Sequence, residues 1–212
     1  MKRTLFLVIV AALLVNSCAL VNKIKNRKSG KVSTTSISNT LYNTATNTDK
    51  QFTFKSLPNN VEELKAMKEA NMKDPYAVAA LTVVALMRYE TSQEDCYEML
   101  NYLKGPEELS TYEKGFLRDR FEGKKYYKVR SFFAGATPQN DYTPSTPYMI
   151  KVRSNRDSFA AEGWATLWLF SGGADNPRTV KLRQKKSTGE WFLNEIQFLS
   201  DIRQPASADP WN

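Results

Sequence analysis

No histidine occurs anywhere in the 212 residues, so the chain cannot build a Ser/His/Asp triad, a Cys/His dyad or a histidine-based zinc site. Most common hydrolase mechanisms are excluded with them, and neither a cofactor nor a metal is expected. Cysteine is almost as scarce. Of the two, Cys18 falls at a processing signal and Cys96 inside a helical pattern, so they do not read as a disulfide pair, and Cys96 is expected to be a free thiol packed as a small hydrophobe. Long hydrophobic runs are missing after the N-terminus. The best later stretch, Tyr76 to Met87, falls far short of the roughly 20 apolar residues a membrane span needs and reads as a buried helix. Mean hydropathy over the chain is -0.49, which leaves no second apolar segment hidden in the average.

What is present begins with an export signal. Lys2 and Arg3 form a charged start, Leu5 to Val15 a short apolar stretch, and Val15-Asn16-Ser17-Cys18 places a cysteine directly after a small residue. This resembles the lipobox of bacterial lipoproteins, which implies diacylglyceryl transfer to the Cys18 thiol, cleavage before it and frequent acylation of the new amine. Asn16 departs from the Ala, Ser or Thr usual at its place. Several acyl chains hold a protein stably on a membrane, at about 0.8 kcal/mol per buried CH₂, where a single chain binds only marginally. Ala19 is not a retention signal of the aspartate kind, so in a cell with two membranes the outer one is favoured. The leader removes Lys2 and Arg3, which takes the formal charge from +8 to +6. Much of the remaining excess lies in Lys23, Lys25, Arg27, Lys28 and Lys31, where it can meet anionic headgroups or simply keep a linker solvated.

The expected organisation is a signal peptide over residues 1–17, a lipidated cysteine with a basic Ser/Thr/Asn-rich tether over 18–51, and one α+β domain over 52–212. The tether has too few apolar residues to bury a core. Four helix starts follow it: Asn60 before Val61-Glu62-Glu63, Asp74-Pro75, Thr91 with Glu94, and Ser110 with Glu113, with Gly105-Pro106 and Gly123 as stops. After an irregular connection rich in Gly and Pro, strand patterns run over Tyr148–Ser154, Gly163–Ser171, Thr179–Lys186 and Glu190–Phe198, with Ser187-Thr188-Gly189 as a hairpin tip. The fold class read from this order is an N-terminal helical half of about four helices, followed by a three- to four-stranded antiparallel meander packed on it.

The chain contains Leu103-Lys104-Gly105-Pro106, Phe116-Leu117-Arg118-Asp119-Arg120, Gly135-Ala136-Thr137-Pro138, Tyr142-Thr143-Pro144-Ser145, Ser171-Gly172-Gly173-Ala174-Asp175 with Pro177-Arg178, Val180-Lys181-Leu182-Arg183-Gln184, Trp191-Phe192-Leu193 and Asp209-Pro210-Trp211. In these stretches it resembles an uncharacterised bacterial family, domain of unknown function 6935. The resemblance spans roughly Leu57 to Asn212. It implies no activity, so it assigns no catalytic or binding residue.

Three places could carry function. Lys151 and Arg153, then Lys181, Arg183 and Lys185, fall at alternating positions that can share one sheet face with Trp164 and Trp168, a basic aromatic surface suited to anionic glycans or other polyanions. The plainer reading, and the preferred one, is a solvated face with both Trp rings turned into the core. Ser171-Gly172-Gly173, with Arg178 nearby, could offer backbone N–H groups to an anion, but no helix follows and an ordinary strand connection needs the same residues. Arg118-Asp119-Arg120 reads best as a structural ion pair tying its helix to the long connection. Glu190, Glu195 and Asp201 have no spacing that selects them as a carboxylate pair.

The functional expectation is a membrane-tethered extracytoplasmic binding or interaction module of the bacterial envelope. Its partners would be the membrane through the lipid anchor, and another envelope protein or an anionic envelope polymer; an exported location argues against nucleic acid. The alternative is an envelope enzyme acting on a glycan or peptide through Asp, Glu or Ser.

Overall fold

The computed structural model describes residues 47–211, and within them the helix starts named above are built much as their chemistry dictates. Five α-helices form: α1 Val61–Lys65, α2 Pro75–Met87, α3 Gln93–Lys104, α4 Thr111–Phe121 and α5 Tyr127–Arg130. The Asn60 side chain accepts from the Glu63 amide, and Asp74 accepts from the Tyr76 amide with Pro75 at the first helical position. Ser110 and Glu113 close a reciprocal capping box. The third start is displaced by one residue, because Ser92 rather than Thr91 accepts, from the Asp95 amide.

Helix α2 is apolar on every side and is buried from Pro75 to Leu86. A helix of that composition has no polar face to offer solvent, so it must be enclosed. One side lies on the sheet, touching all five strands, and the others meet α3 and α5. Each fully buried Val or Leu side chain here contributes about 1.5–3 kcal/mol relative to exposure. Tyr76, at the first turn, donates its hydroxyl to Ser154 Oγ of the sheet at 2.7 Å, which satisfies the polar end of a buried ring.

The expected three- to four-stranded meander is corrected to a five-stranded antiparallel sheet whose strands are β1 Asn47–Phe54, β2 Tyr148–Asn155, β3 Trp164–Leu169, β4 Arg178–Lys185 and β5 Glu190–Ile196, neighbours in that order. The expected purely helical start is corrected as well. Strand β1 precedes every helix and pairs with β2 from Asn47↔Asn155 to Phe54↔Tyr148. It therefore begins five residues before the domain boundary expected at Phe52. The helical half likewise holds five helices rather than about four, the extra one being the single turn α5.

The alternation along the strands gives the sheet two unlike faces. Ile150, Val152, Ala165, Leu167, Leu169, Val180, Leu182 and Leu193 are buried on the helix side. The other face carries the half-buried and exposed positions of the strands, and a register shift at Lys181/Leu182 interrupts the β4–β5 pairing.

The glycine-rich connection lies at one end of the sheet. The Gly172 N–H donates to Ser131 O at 2.8 Å, the Gly173 N–H to Ser171 Oγ at 3.1 Å, and Gly173 O accepts from the Arg203 amide at 2.9 Å. A Cβ on Gly172 would fall 2.0 Å from Ala136 O, and one on Gly173 would fall 2.1 Å from the Tyr142 hydroxyl. Tyr142, fully buried, donates that hydroxyl to Arg203 O at 2.6 Å. The segments 135–145, 171–175 and 199–203 are thereby locked into one polar knot, which Arg178 closes by donating to the Ser200 and Asp201 carbonyls.

Candidate functional site

Strand alternation places Lys151 and Arg153 of β2, Trp164 and Trp168 of β3, and Lys181, Arg183 and Lys185 of β4 on the open face of the sheet. All seven residues singled out from sequence share it. The preferred expectation that both Trp rings turn into the core is overturned: Trp164 is 39% exposed and Trp168 half-buried, while their neighbours Ala165, Leu167 and Leu169 take the core positions. Small and aliphatic side chains fit beneath α2, which leaves the indoles on the outside.

The face divides into two parts of different character. At the β1–β2 end, Asp49 pairs with both nearby cations. Arg153 Nε and Nη2 lie 2.5 and 2.9 Å from its carboxylate oxygens and Lys151 Nζ lies 2.7 Å from Oδ2. Both cations also lie 4.6 Å from the Phe170 ring centre. The Arg153 hydrogen bonds, reinforced by Lys151 against a smaller opposing effect of burial, hold the Asp49 carboxyl far below the usual range. In the middle, Lys181 is paired with Glu195 at 3.1 Å.

At the β3–β5 end two of the face's cations have no such partner among the described residues. Arg183 stands with its guanidinium 5.3 Å from the Trp164 ring centre, and neither Arg183 nor Lys185 has an ion-pair partner among the described residues. Here the face runs into a cleft of about 430 Å³, in the range of small-ligand pockets. Trp164 and Phe192 line it, with the β4–β5 hairpin residues Lys185 and Lys186 on one side and Pro106 and Glu107 on the other. Local turns set this geometry. Gly163, at φ 76, delivers Trp164 into β3, and Gly189, at φ 70, turns the hairpin while its N–H donates to Lys185 O at 2.8 Å. Gly105, at φ 70, ends α3 against Phe192, where a Cβ would fall 2.3 Å from the ring.

Sequence reasoning reached Trp164, Arg183 and Lys185 but missed Phe192, Glu107 and Lys186, which also line the cleft. Phe192 lies in an apolar run whose inward and outward members look alike, and Glu107 belongs to a connection no periodicity constrains. The Ser171-Gly172-Gly173 turn is not an anion cradle, since its amides are already donated within the knot. The expected ion pair of Arg118-Asp119-Arg120 is also corrected. Arg118 and Asp119 are exposed, Arg120 lies 4.7 Å over the Phe116 ring, and none of the three forms a salt bridge among the described residues. Glu190, Glu195 and Asp201 are not gathered into one site: Lys73 approaches Glu190 at 3.9 Å, Lys181 holds Glu195, and Asp201 lies in the knot. Cys96 is fully buried and free, and burial pushes its thiol well above the ordinary range. Cys18 lies outside the described residues.

Among the described residues no group of acidic, histidine or cysteine side chains is arranged to hold a metal, and no helix is long and apolar enough to cross a membrane. The family model of a domain of unknown function, DUF6935, matches residues 56–206, and the chain belongs to that family. No curated protein matches the chain, and no solved structure does. The matched region starts after β1, so the first strand of the sheet lies outside it.

Proposed function

We propose that this protein is a lipid-anchored, extracytoplasmic binding module of the bacterial envelope, tethered through Cys18, with the open sheet face and its cleft as the contact surface. The observation that carries the binding part is the grouping of an exposed indole, Trp164, with two cations that have no carboxylate partner among the described residues, Arg183 and Lys185, in the lining of one cleft. Aromatic side chains left outside a core, next to unneutralised charge, are characteristic of surfaces that meet a partner. The anchoring part is supported by the charged start, apolar stretch and Ser17-Cys18 junction. The partner is an anionic envelope polymer or another envelope protein carrying negative charge.

Two experiments test the two parts. Metabolic labelling with a fatty-acid probe should mark the wild type and not Cys18→Ala, which should accumulate as unprocessed precursor; label retained in the variant overturns the anchor. Binding of envelope extract to the full chain should fall with added salt, because exposed charges are screened over about 8 Å at physiological ionic strength. It should also fall in the double variant R183E/K185E. Equal binding by wild type and variant at low and high salt overturns the face as contact surface. Turnover of an envelope glycan or peptide by the full chain would favour an enzyme instead.

A further inference from the structure

From the cleft at the β3–β5 end we infer the ligand class: an oligosaccharide bearing carboxylates, one ring of which stacks on Trp164 while its acid group meets Arg183 and Lys185. The inference rests on the reading of the open face as the contact surface and narrows it to one part of that face and one chemistry.

The charge distribution sets the sign of the ligand. Of the cations lining the cleft, Lys104 is paired with Glu113 at 2.7 Å and Lys186 with Glu162 at 3.2 Å, which leaves Arg183 and Lys185 without an ion-pair partner among the described residues. Lys151 and Arg153, elsewhere on the face, share the one carboxylate of Asp49, and Lys181 is paired with Glu195, so each already has an ion-pair partner. The cleft thus gathers two cations without an ion-pair partner among the described residues against one such carboxylate, Glu107, a net charge that favours an anion. The guanidinium is a planar fork that accepts a carboxylate through two parallel hydrogen bonds, and the ammonium beside it adds a movable donor.

The remaining lining distinguishes a sugar from other anions. Trp164 and Phe192 supply flat apolar surface of the kind that takes the C–H face of a pyranose. Gln184 and Asn194 add amides that donate and accept, and Glu107, which has no ion-pair partner among the described residues, accepts hydroxyl protons. Aromatic floor, amides and carboxylate together match alternating C–H faces and hydroxyls. A volume of about 430 Å³ holds a short saccharide.

A peptide added as a strand fits less well. The outer side of β5 is already engaged where the Trp191 N–H donates to Met72 O at 2.7 Å, and the end of α3 presses Gly105 onto Phe192. Main-chain pairing, the usual source of affinity for strand addition, is already taken up at Trp191, and Gly105 crowds the Phe192 ring beside it.

The test uses the full chain and three probes: trigalacturonic acid, the neutral trisaccharide maltotriose, and tri-glutamate. The four tryptophans give four indole N–H signals, and Trp164→Phe assigns the one that matters. Trigalacturonic acid should shift the Trp164 signal, and maltotriose should do so weakly or not at all. R183E/K185E should weaken binding by about tenfold or more, as for loss of a charge pair at a contact, with an unchanged melting temperature. K124E/K125E, at exposed residues that do not line the cleft, should leave it within about twofold, since exposed charges beyond the contact are screened. Three results overturn the inference: no binding of trigalacturonic acid, equal binding of tri-glutamate, or equal loss in the two double variants. If trigalacturonic acid fails while R183E/K185E still abolishes capture of envelope extract, the ligand class is wrong and the contact surface stands. If both fail, the surface falls too.

Discussion

Arg153 of β2 stands directly across from Asp49 of β1 and grips its carboxylate with two hydrogen bonds, fastening the first strand to the sheet from the solvent side. The folded Asp49 is held well below its ordinary value of 3.8, so its contribution to stability is present above that value and is lost only as pH falls through the lower folded one. We expect the wild-type Asp49 carboxyl to titrate by NMR with a midpoint well under 3.8. Asp49→Asn should lower the melting temperature at pH 7 by only about 2 °C, because the three partners are each a third or more exposed. An ordinary midpoint would show that the fork does not persist in solution.

Gly172→Ala should be far more costly. Its Cβ would meet a backbone oxygen, Ala136 O, at 2.0 Å, and backbone cannot step aside as a flexible side chain can. We expect a loss of about 1–3 kcal/mol in urea unfolding of the full chain, the range for overpacking a filled site. Tyr142→Phe, which removes only the hydroxyl donated to Arg203 O, should cost about 1 kcal/mol. A neutral Gly172→Ala would mean that the knot is looser than its hydrogen bonds imply.

Much of this architecture was legible in the sequence, where local chemistry decides structure. Asn60, Asp74-Pro75 and Ser110 with Glu113 are start signals whose hydrogen bonds form within a few residues, and all three appear in place. Strand β1 was not legible. Its inward positions are Thr48, Lys50, Phe52 and Phe54, so half of its core-facing pattern is polar. Lys50 earns an inward place only through tertiary partners, with Nζ 2.8 Å from Asp74 and 4.4 Å from the Tyr76 ring centre. The facing of the two indoles, expected in the core, was misread for a related reason. Both faces of β3 are apolar in sequence, and the position of α2 selects Ala165, Leu167 and Leu169 for the core. The family's glycine-rich stretch suggested an anion site because free and committed amides look identical in a sequence.

Cys96 should be inert in the folded protein. It is fully buried, and desolvation raises its thiol so that little thiolate exists at neutral pH. Treating the full chain with iodoacetamide and following the Cys96 peptide by mass spectrometry should give negligible labelling without denaturant and rapid labelling in urea. Fast native labelling would show that α3 opens locally far more often than its packing suggests.

One wall of the cleft holds a largely buried ion pair. Lys104, with its side chain 7% exposed, donates to Glu113 at 2.7 Å, and the other Glu113 oxygen accepts from the Ser110 amide at 2.8 Å. Burial works to raise the Glu113 carboxyl, but the hydrogen bonds from Lys104 and Ser110 outweigh it and hold the group below 4.5. Its stabilising effect is therefore complete above 4.5 and disappears as pH falls through the lower folded value. Glu113→Ala removes the capping acceptor and leaves a buried ammonium without its carboxylate, so we expect a loss of about 2–3 kcal/mol at pH 7 in urea unfolding. Lys104→Met keeps the capping box and removes the charge that needs compensation, so it should cost less than Glu113→Ala. The double variant should be more stable than Glu113→Ala alone, because the methionine stem fills the same space with no unpaired charge. If Lys104→Met is the more damaging single change, the attraction between the two groups, rather than the penalty of stranding one of them, dominates this wall.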